Sequence, residues 1–418
     1  MKLWQKLVAS VALLPAILLI SACVGCGGGG GSSPPPTTTP TTPTTPAPTR
    51  TGTLLNGDAE AFYPRLIRLA HQADTSQNGA VIASAIAFNG GVAQGRIFIS
   101  RDDGVSFALQ GSVTDAAWPK GLCCGSIYEL PSSVGTLPAG TLVWSASIGQ
   151  DTTGQPMSHP IYRSSDAGKT WTVLGANCGV GQKPRGGDGT GIWEPQFLVT
   201  GDGQLACMYS DETEAGHSQV LKITSTADGV TWTAPRLLVA GTLASDRPGM
   251  AVTSRLGDGS YLLSYEFCST AGLDCRVYLK RSADGLDWGS PSDKGFEPKT
   301  ADGHWFRHAP THVWLPAQQR VALIGQILNN SAGAVDTTGN GSTVFLSSTA
   351  DASGAWTTMT APVNTLNAPL ATNWCQNYSS PLLPSADGKQ LLMLSSDFET
   401  VNGAQACRTR FGRGALPS

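Results

Sequence analysis

Two kinds of turn alternate along this chain, and their spacing constrains the fold more than any other feature of the sequence. The first is a glycine-containing turn between two apolar strands, clearest at 196–210 and 251–267, where Gly-Asp-Gly separates the strands. Weaker copies occur near residues 79, 140, 318 and 388, so six such turns lie 56 to 70 residues apart. A period of this length indicates a structural repeat.

The second kind of turn has the pattern Ser-x-Asp-x-Gly-x-x-aromatic, which we call the Asp-box. It is complete at 100–107 and 164–171, and degenerate copies, in which we expect the Asp to be displaced, end at Trp232, Trp288 and Trp356. In such a turn the Asp accepts backbone N–H bonds, the Gly takes a positive φ and the aromatic ring packs under the loop. The boxes therefore predict hairpins and carry no chemistry of their own.

One plain hairpin and one boxed hairpin make four strands in about 60 residues, which is typical of a β-propeller blade. Charged residues are only 14% of the chain and Gly is 50 of 418, which favours strands and turns over helices. We therefore predict an all-β, six-bladed β-propeller with Asp-box hairpins. The sixth unit is too short for four strands, so the segment around 53–60 should supply its last outer strand and close the ring.

The first fifty residues have the composition of an export signal and a tether. Residues 1–22 read as a lipoprotein-type signal peptide, with Lys2 and Lys6 before an apolar run too short for a comfortable membrane span. Ile20-Ser21-Ala22-Cys23 resembles a bacterial lipobox, with Cys23 as the lipidated residue; ordinary cleavage near Ala22 is the alternative. Residues 23–51 then form a Gly/Pro/Thr-rich linker, and 52–418 form the propeller.

These features predict a location in the bacterial cell envelope, lipid-anchored at the outer membrane or cell surface, or else secretion. No Asp follows Cys23, so retention at an inner membrane is not indicated. We expect contact with a membrane only through the lipid, and a monomer. The net charge of −3 gives no support to nucleic-acid binding.

The phase of the repeat places two carboxylates on one face of the ring. Glu194 lies eight residues before Asp202 in a hairpin turn, and Glu266 lies eight residues after Asp258 in the next one. Because a hairpin brings its two free ends together, both carboxylates should face the same mouth on adjacent blades. The same argument places further residues near that face, as candidate neighbours of the two carboxylates or contacts of a substrate: Arg65, Trp193, Asp211, Glu212, Arg247, Tyr265, His308 and Tyr378.

Two carboxylates that converge on a pocket are what glycoside hydrolysis requires. One must hold a proton for the leaving oxygen, and the other must be ionised, to attack the anomeric carbon or to activate water. The neighbouring aromatics Trp193 and Tyr265 could raise a pKa by excluding water, or stack on a sugar. The alternative is that both are strand-end carboxylates bonded only to nearby loops.

An ordered set of short motifs resembles the exo-α-1,5-L-arabinanases of glycoside hydrolase family 93. The motifs are Trp193-Glu194-Pro195, Tyr209-Ser210-Asp211-Glu212, Asp246-Arg247-Pro248-Gly249-Met250, Tyr265-Glu266, Cys275-Arg276-Val277-Tyr278 and Asn377-Tyr378-Ser379. The resemblance implies a six-bladed propeller that releases arabinobiose from the end of linear arabinan, with retention. It implies that Glu194 is the acid/base, that Glu266 is the nucleophile, and that Tyr378 lies beside the nucleophile and tunes it. The first blade is the least similar to the family.

Two other functions remain open from the sequence. The Asp-boxes resemble those of sialidase-like propellers, and a sialidase would use a Tyr nucleophile with a Glu partner and three arginines for the substrate carboxylate. Arg65 and Arg247 sit at blade starts, but Arg320 should point to the other face, so a third arginine is missing. A non-catalytic carbohydrate-binding surface propeller is the other alternative.

The histidines and cysteines predict no metal or cofactor. His304, His308 and His312 are four residues apart, but in loop and strand this spacing does not bring them to one side. Ten cysteines suit an exported chain, and Cys268 with Cys275 is the best disulfide candidate. The adjacent Cys123 and Cys124 are not expected to bond to each other.

Overall fold

The computed structural model describes residues 50–417 except 58, 119, 153–155, 179–182, 185–189, 270–273 and 367–370. The predicted signal peptide, Cys23 and nearly all of the linker lie outside the described residues and stay predictions. Within the described part, no helix combines the length and the apolar character needed to cross a membrane.

The described strands form six antiparallel sheets of four strands or more. After β1 (Thr53–Leu54), the first blade contains β2 (Phe62–Arg68), β3 (Val81–Asn89), β4 (Val92–Ser100) and β5 (Ala108–Val113). The second contains β6 (Leu122–Glu129), β7 (Leu142–Ile148), β9 (Pro160–Ser164) and β10 (Thr172–Asn177), beside a small ribbon of β8 (Pro156–Met157) and β11 (Lys183–Pro184). The third contains β12 (Ile192–Val199), β13 (Leu205–Asp211), β14 (Val220–Thr226) and β15 (Arg236–Val239).

The second half of the chain repeats this plan. The fourth blade contains β16 (Arg247–Arg255), β17 (Tyr261–Cys268), β18 (Arg276–Ser282) and β19 (Trp305–Arg307), extended by β22 (Ile327–Asn329). The fifth contains β20 (Thr311–Leu315), β21 (Arg320–Ile324), β23 (Thr343–Ser347) and β24 (Trp356–Thr360). The sixth contains β25 (Leu382–Pro384), β26 (Gln390–Val401) and β27 (Ala404–Ala415). A single 3-10 turn among the described residues, Thr75–Gln77, lies between β2 and β3 of the first blade.

The first strands of the blades form a closed ring. In order, β2, β6, β12, β16, β20 and β25 each contact the next, and β25 contacts β2 again. The sixth blade takes its fourth strand from β1, with Thr53 opposite Phe411 and Leu54 opposite Arg410. The predicted six-bladed propeller and its closure by the N-terminal segment are thus confirmed, and the closure ties the two ends of the domain together.

The core lies between the blades, because each sheet is covered on both faces. Every residue of β7, β13 and β14 is buried, as expected for strands covered on both sides. One apolar cluster joins the fourth, fifth and sixth blades through residues such as Leu262, Phe306, Phe345 and Leu391. Burying each such side chain contributes about 1.5–3 kcal/mol, so packing between blades stabilises the ring.

The boxed turns have the hydrogen bonds that their residues predict, with one correction. Asp166 accepts the Thr170 N–H at 2.9 Å, and the Trp171 indole donates to the Gly168 carbonyl at 3.1 Å. The expectation that the Asp is displaced in the degenerate copies was wrong, since Asp284 accepts two backbone N–H groups, those of Leu286 and Asp287. The copies that end at Trp232 and Trp288 lack one residue between Asp and Gly, whereas the copy that ends at Trp356 has two residues between Asp351 and Gly354. In all three the Asp keeps its place after the Ser or Thr.

Eight cysteines form four disulfides, Cys123–Cys124, Cys178–Cys207, Cys268–Cys275 and Cys375–Cys407. The pairing of Cys268 with Cys275 is as predicted. The expectation for Cys123 and Cys124 was wrong, because their strand is not regular. The register of β6 shifts between Cys123 and Ser126, and Cys124 has a φ of 61°. This bulge removes the alternation that would have turned adjacent side chains to opposite faces.

Candidate active site

One backbone feature recurs at the inner start of every blade. A residue with left-handed backbone occurs there six times, as Tyr63 (φ 51°), Cys124 (61°), Glu194 (55°), Met250 (60°), Ala309 (41°) and Ser379 (56°). In the first four blades the strand register shifts at this residue, which defines a β-bulge. A bulge re-aims a side chain, and non-glycine residues adopt this conformation only where the surroundings enforce it. Four of the six lie in one cluster, against which Trp193 and Tyr378 pack.

Glu194 is the bulge residue of β12. Its Oε2 accepts the hydroxyl of Ser210 at 2.6 Å and the backbone N–H of Met250 at 3.3 Å. Among the described residues Oε1 has no hydrogen-bond partner, so this oxygen is the one left for a ligand. Burial is the main cause that raises the pKa of Glu194 to about 7, and the charge of Glu266 raises it further. The carboxyl therefore holds a proton near neutral pH and can donate it.

Glu266 lies near the end of β17 on the adjacent blade. Its Oε2 accepts the backbone N–H of Ala309 at 2.8 Å and lies 3.4 Å from Nδ1 of His308. Its Oε1 lies 3.8 Å from the sulfur of Cys268. Donors facing this carboxyl stabilise its negative charge. The charge of Glu266 acts on Glu194, so the two carboxyls are close enough to interact electrostatically, and their surroundings differ.

Tyr378 lies just before β25 and is close to both carboxyls. Its hydroxyl lies 3.5 Å from Sδ of Met250, and its ring centre is 6.0 Å from that of Tyr63. Burial raises the pKa of Tyr378 well above its ordinary value, and the charges of Glu194 and Glu266 add to this. The phenol therefore stays protonated in this site.

Arg65 and Tyr63 form the wall on the first blade. The Arg65 guanidinium lies 4.2 Å from the centre of the Tyr63 ring, and its Nη1 donates to Oγ of Ser379 at 2.8 Å. Burial raises the pKa of Tyr63 to about 12. Sequence reasoning missed Tyr63. A signal was present, because Tyr63 and Glu194 each directly precede a proline at the same place in their blades.

Trp193, Glu212 and Arg247 form a connected wall on the third and fourth blades. The Trp193 indole donates to Oε2 of Glu212 at 3.0 Å, and Arg247 forms an ion pair with the other oxygen of Glu212. Arg247 also donates to Gln219 at 2.7 Å and to Ser218 at 2.8 Å. The three predicted residues therefore lie together and are held in place by one another. The side chain of Arg247 is partly exposed, so it is available to a ligand.

Two predicted substrate contacts are not at the mouth. Asp211 is fully buried, where it pairs with Lys222 at 3.0 Å and accepts the Thr213 N–H at 2.7 Å. Tyr265 is also fully buried, and its hydroxyl donates to the carbonyl of Lys294 at 2.7 Å. Asp211 directly precedes Glu212 and Tyr265 directly precedes Glu266, and alternation along the chain turns each of them away from the mouth. Both are core residues.

The three histidines that are four residues apart in the sequence lie at three different places in the fold. His304 pairs with Asp302 at 3.1 Å and Asp336 at 3.0 Å, and His312 contacts Oγ of Ser264 at 2.8 Å. Only His308 is at the site, where it faces Glu266. Among the described residues, the one grouping of three potential metal-ligand side chains is Cys268, Cys275 and His308, and its two sulfurs are joined in a disulfide.

A cavity of about 300 Å³ opens beside Cys268 and His308, the two side chains that lie against Glu266. It combines cationic, hydroxyl and sulfur-containing side chains, and its lining residues are Ser245, Arg247, Cys268, Ser269, Asp274, Cys275, Arg307 and His308. The sequence indicated Arg247, His308 and the two cysteines, but it gave no signal for Arg307, which directly precedes His308. Cavities near this volume suit small ligands, with a few polar groups to orient them.

Solved structures share this fold. An α-L-arabinanase of Penicillium chrysogenum, complexed with arabinobiose, is 22% identical, with a TM-score of 0.68 over 88% of this chain and 99% of that chain. A family 93 α-L-arabinofuranosidase of Fusarium graminearum with arabinobiose is also 22% identical, with a TM-score of 0.67 over 87% of this chain and 97% of that chain. No family model and no curated protein matches the chain. The likeness confirms the propeller fold that the motif resemblance implied.

Proposed function

We propose that this protein is a retaining, exo-acting glycoside hydrolase that releases arabinobiose from linear α-1,5-L-arabinan. The observation that carries the proposal is the contrast between two neighbouring carboxyls. Burial raises the pKa of Glu194 to about 7, whereas Glu266 accepts the Ala309 N–H and faces His308. An acid that is protonated near neutral pH beside a charge-stabilised carboxylate is the pair that this chemistry needs.

The proposed reaction has two steps. In the first, a carboxylate oxygen of Glu266 bonds to the anomeric carbon while the bond to the leaving oxygen breaks, and Glu194 gives that oxygen its proton. In the second, Glu194 takes a proton from water as the water oxygen bonds to the anomeric carbon and Glu266 is released. Both steps invert the anomeric centre, so the product retains its configuration. Tyr378 has the role that the motif resemblance implies, which is to tune the nucleophile Glu266, and the charge of Glu266 acts on its buried phenol.

The exo mode is supported by the cavity beside Cys268 and His308. Its volume of about 300 Å³ is in the range that suits a small ligand such as a short sugar unit. The chain end would enter this cavity, with Arg247 and His308 available for hydroxyl groups. The rest of the arabinan would then extend past Glu194 to the outside. The identity of the sugar is supported by the motif resemblance and by the two solved structures that hold arabinobiose.

The test is to incubate the protein with debranched linear arabinan and, separately, with a sialyl substrate, and to separate the products by chromatography. Glu194→Gln and Glu266→Gln variants are assayed in parallel. We expect arabinobiose from arabinan only, with the release lost in both variants. Proton NMR early in the reaction should show the retained anomer, and an inverted product would refute the two-step mechanism.

Other results would redirect the assignment. Release of sialic acid alone would favour the sialidase alternative. No release from either substrate, together with sugar affinity that survives both glutamate substitutions, would favour a non-catalytic binding propeller. A glycan array is the appropriate next experiment in that case.

We also propose that the enzyme is anchored at the bacterial cell envelope by a lipid on Cys23. The support is the lipobox-like Ile20-Ser21-Ala22-Cys23 after an apolar run, followed by a Gly/Pro/Thr-rich segment. Metabolic labelling with a palmitate analogue should mark the wild-type chain and not a Cys23→Ala variant. Labelling of both, or of neither, would contradict the anchor.

A further inference from the structure

Glu194 is attached to the second blade through its backbone. Its N–H donates to Oγ of Ser147, at 3.1 Å, and Ser147 is fully buried near the end of β7. Ser147 pairs in register with Cys123, so it stands opposite the bulge that carries the adjacent disulfide. The hydroxyl of Ser147 is therefore held inside the second blade and reaches across to the third.

The hydroxyl of Ser147 has a second partner. Nε2 of His159 lies 3.2 Å from it, and His159 has no exposed surface. Burial lowers the pKa of His159 to about 4, so the ring is neutral at the pH of most assays. The oxygen of Ser147 accepts the N–H of Glu194, and the same hydroxyl forms a hydrogen bond with Nε2 whose direction depends on the tautomer of the ring.

His159 lies close to the backbone of Ile192, although its Nδ1 makes no hydrogen bond within the described residues. Ile192 and Glu194 are two residues apart in β12, on either side of Trp193. The Ser147–His159 pair therefore holds β12 at Glu194, the bulge residue itself. This matters because Glu194 has a φ of 55°, and such a conformation persists only when its surroundings over-determine it.

We propose that Ser147 and His159 are positioning residues that hold the backbone of Glu194 at the bulge and so aim its carboxyl at the leaving oxygen. The proposal rests on the acid/base role of Glu194 put forward above. Neither residue touches the substrate. Their loss should therefore weaken proton donation by Glu194 and leave attack by Glu266 intact.

The chain offers a matched control. Ser264 and His312 form a second buried Ser–His pair, with Oγ and Nδ1 2.8 Å apart, between the fourth and fifth blades. Burial lowers the pKa of His312 to about 3, so this ring is neutral as well. Ser264→Ala removes a hydrogen bond of the same kind from the propeller interior without removing the one at Glu194.

The experiment measures kcat/KM of the full chain and its Ser147→Ala, His159→Gln and Ser264→Ala variants on two substrates. One is an arabinan oligosaccharide, whose leaving group needs a proton, and the other is the 2,4-dinitrophenyl glycoside of arabinobiose, whose leaving group does not. We expect Ser147→Ala and His159→Gln to lower kcat/KM on the oligosaccharide by about a hundredfold and on the aryl glycoside by less than threefold. Ser264→Ala should lower both values equally, if at all. A Ser147→Thr variant should restore the oligosaccharide activity because it keeps the hydroxyl.

Glu194→Gln separates the two levels of the proposal. Suppose that Glu194→Gln lowers kcat/KM on the oligosaccharide much more than on the aryl glycoside, while Ser147→Ala and His159→Gln lower kcat/KM on both substrates equally or on neither. The positioning role is then wrong and the acid/base role stands. If Glu194→Gln itself shows no such difference between the substrates, the acid/base assignment fails first. Should Ser147→Ala not fold, as judged by its circular dichroism, the His159→Gln and Ser147→Thr variants decide by the same ratio of kcat/KM values.

Discussion

The hydroxyl of Tyr378 lies 3.5 Å from the sulfur of Met250 and makes no direct hydrogen bond to Glu266 in the described part of the chain. Burial is the main cause that raises the pKa of Tyr378, and the charges of Glu194 and Glu266 raise it further. The phenol therefore lies near enough to both carboxyls to be affected by their charge. The motif resemblance implies that Tyr378 lies beside the nucleophile and tunes it. In this structure the charges of both Glu194 and Glu266 act on Tyr378.

Removing this hydroxyl should therefore have a moderate effect. We expect Tyr378→Phe to lower kcat on arabinan by roughly tenfold, with KM changed less than twofold, because a neutral hydrogen-bond donor is lost near charges that remain solvated by other groups. Steady-state kinetics measures this, with Tyr278→Phe on β18 as the control. A loss as large as that in Glu266→Gln would mean that the hydroxyl moves onto the nucleophile when substrate binds.

The activity should depend on pH through Glu194. Since its pKa is raised to about 7 and it must be protonated to act as the acid, kcat/KM on arabinan should fall as pH rises through about 7. An aryl glycoside with a good leaving group should lack this limb, because its departure needs no proton. A value of kcat/KM that stays constant from pH 6 to 9 on arabinan would contradict the assignment.

The periodicity of the sequence was sufficient for the fold and for the two carboxyls. Turns at regular spacing define which strand ends share a face, and hairpin geometry then places Glu194 and Glu266 together without any knowledge of the loops. Closure by β1 followed from counting strands in the sixth unit. These inferences succeeded because they depend on backbone pairing, which is local and regular.

The bulges limited the remaining predictions. A strand pattern assigns faces by alternation, and a single inserted residue changes the assignment on one side of it. The left-handed residues at Tyr63 and Cys124 are such points, so the sequence missed the aromatic wall of the first blade and the disulfide of the second. The prediction that Asp211 and Tyr265 contact a substrate failed for the opposite reason. Regular alternation holds at both residues and turns their side chains into the core.

The buried carboxyl of Glu194 should reduce stability at alkaline pH. Its pKa is about 7 in the folded protein against an ordinary 4.5, so the stability of the folded state falls as pH rises from 4.5 to 7. Glutamine does not ionise, and Glu194→Gln should therefore raise Tm at pH 8 but change it little at pH 4.5. At about 1.4 kcal/mol for each pKa unit, the gain is at most a few kcal/mol. Thermal unfolding of both proteins across this pH range measures it, and an equal Tm difference at every pH would show that ionisation of this carboxyl is not the cause.

Asp211 should prove structural and not catalytic. Replacing it by Asn leaves Lys222 with only its second partner, Glu214, at 2.6 Å. We expect a loss of stability on the order of 2 kcal/mol, since a buried hydrogen-bonded charge pair is broken. Urea denaturation measures this loss. The value of KM on arabinan should be unchanged in the folded variant, and a severalfold increase would restore Asp211 as a substrate contact.

Two of the disulfides should have separable effects. Cys268–Cys275 lines the cavity and lies against Glu266, whereas Cys178–Cys207 packs in the core of the second and third blades. The Cys268→Ser/Cys275→Ser variant should raise KM severalfold because this disulfide lines the cavity. It should lose on the order of 2 kcal/mol of stability, because the bond closes a short loop with a sequence separation of 7. The Cys178→Ser/Cys207→Ser variant opens a loop with a separation of 29 and should lose on the order of 3 kcal/mol with KM unchanged. Urea denaturation and steady-state kinetics on both variants measure the two effects, and equal changes in KM would show that the cavity wall does not depend on its disulfide.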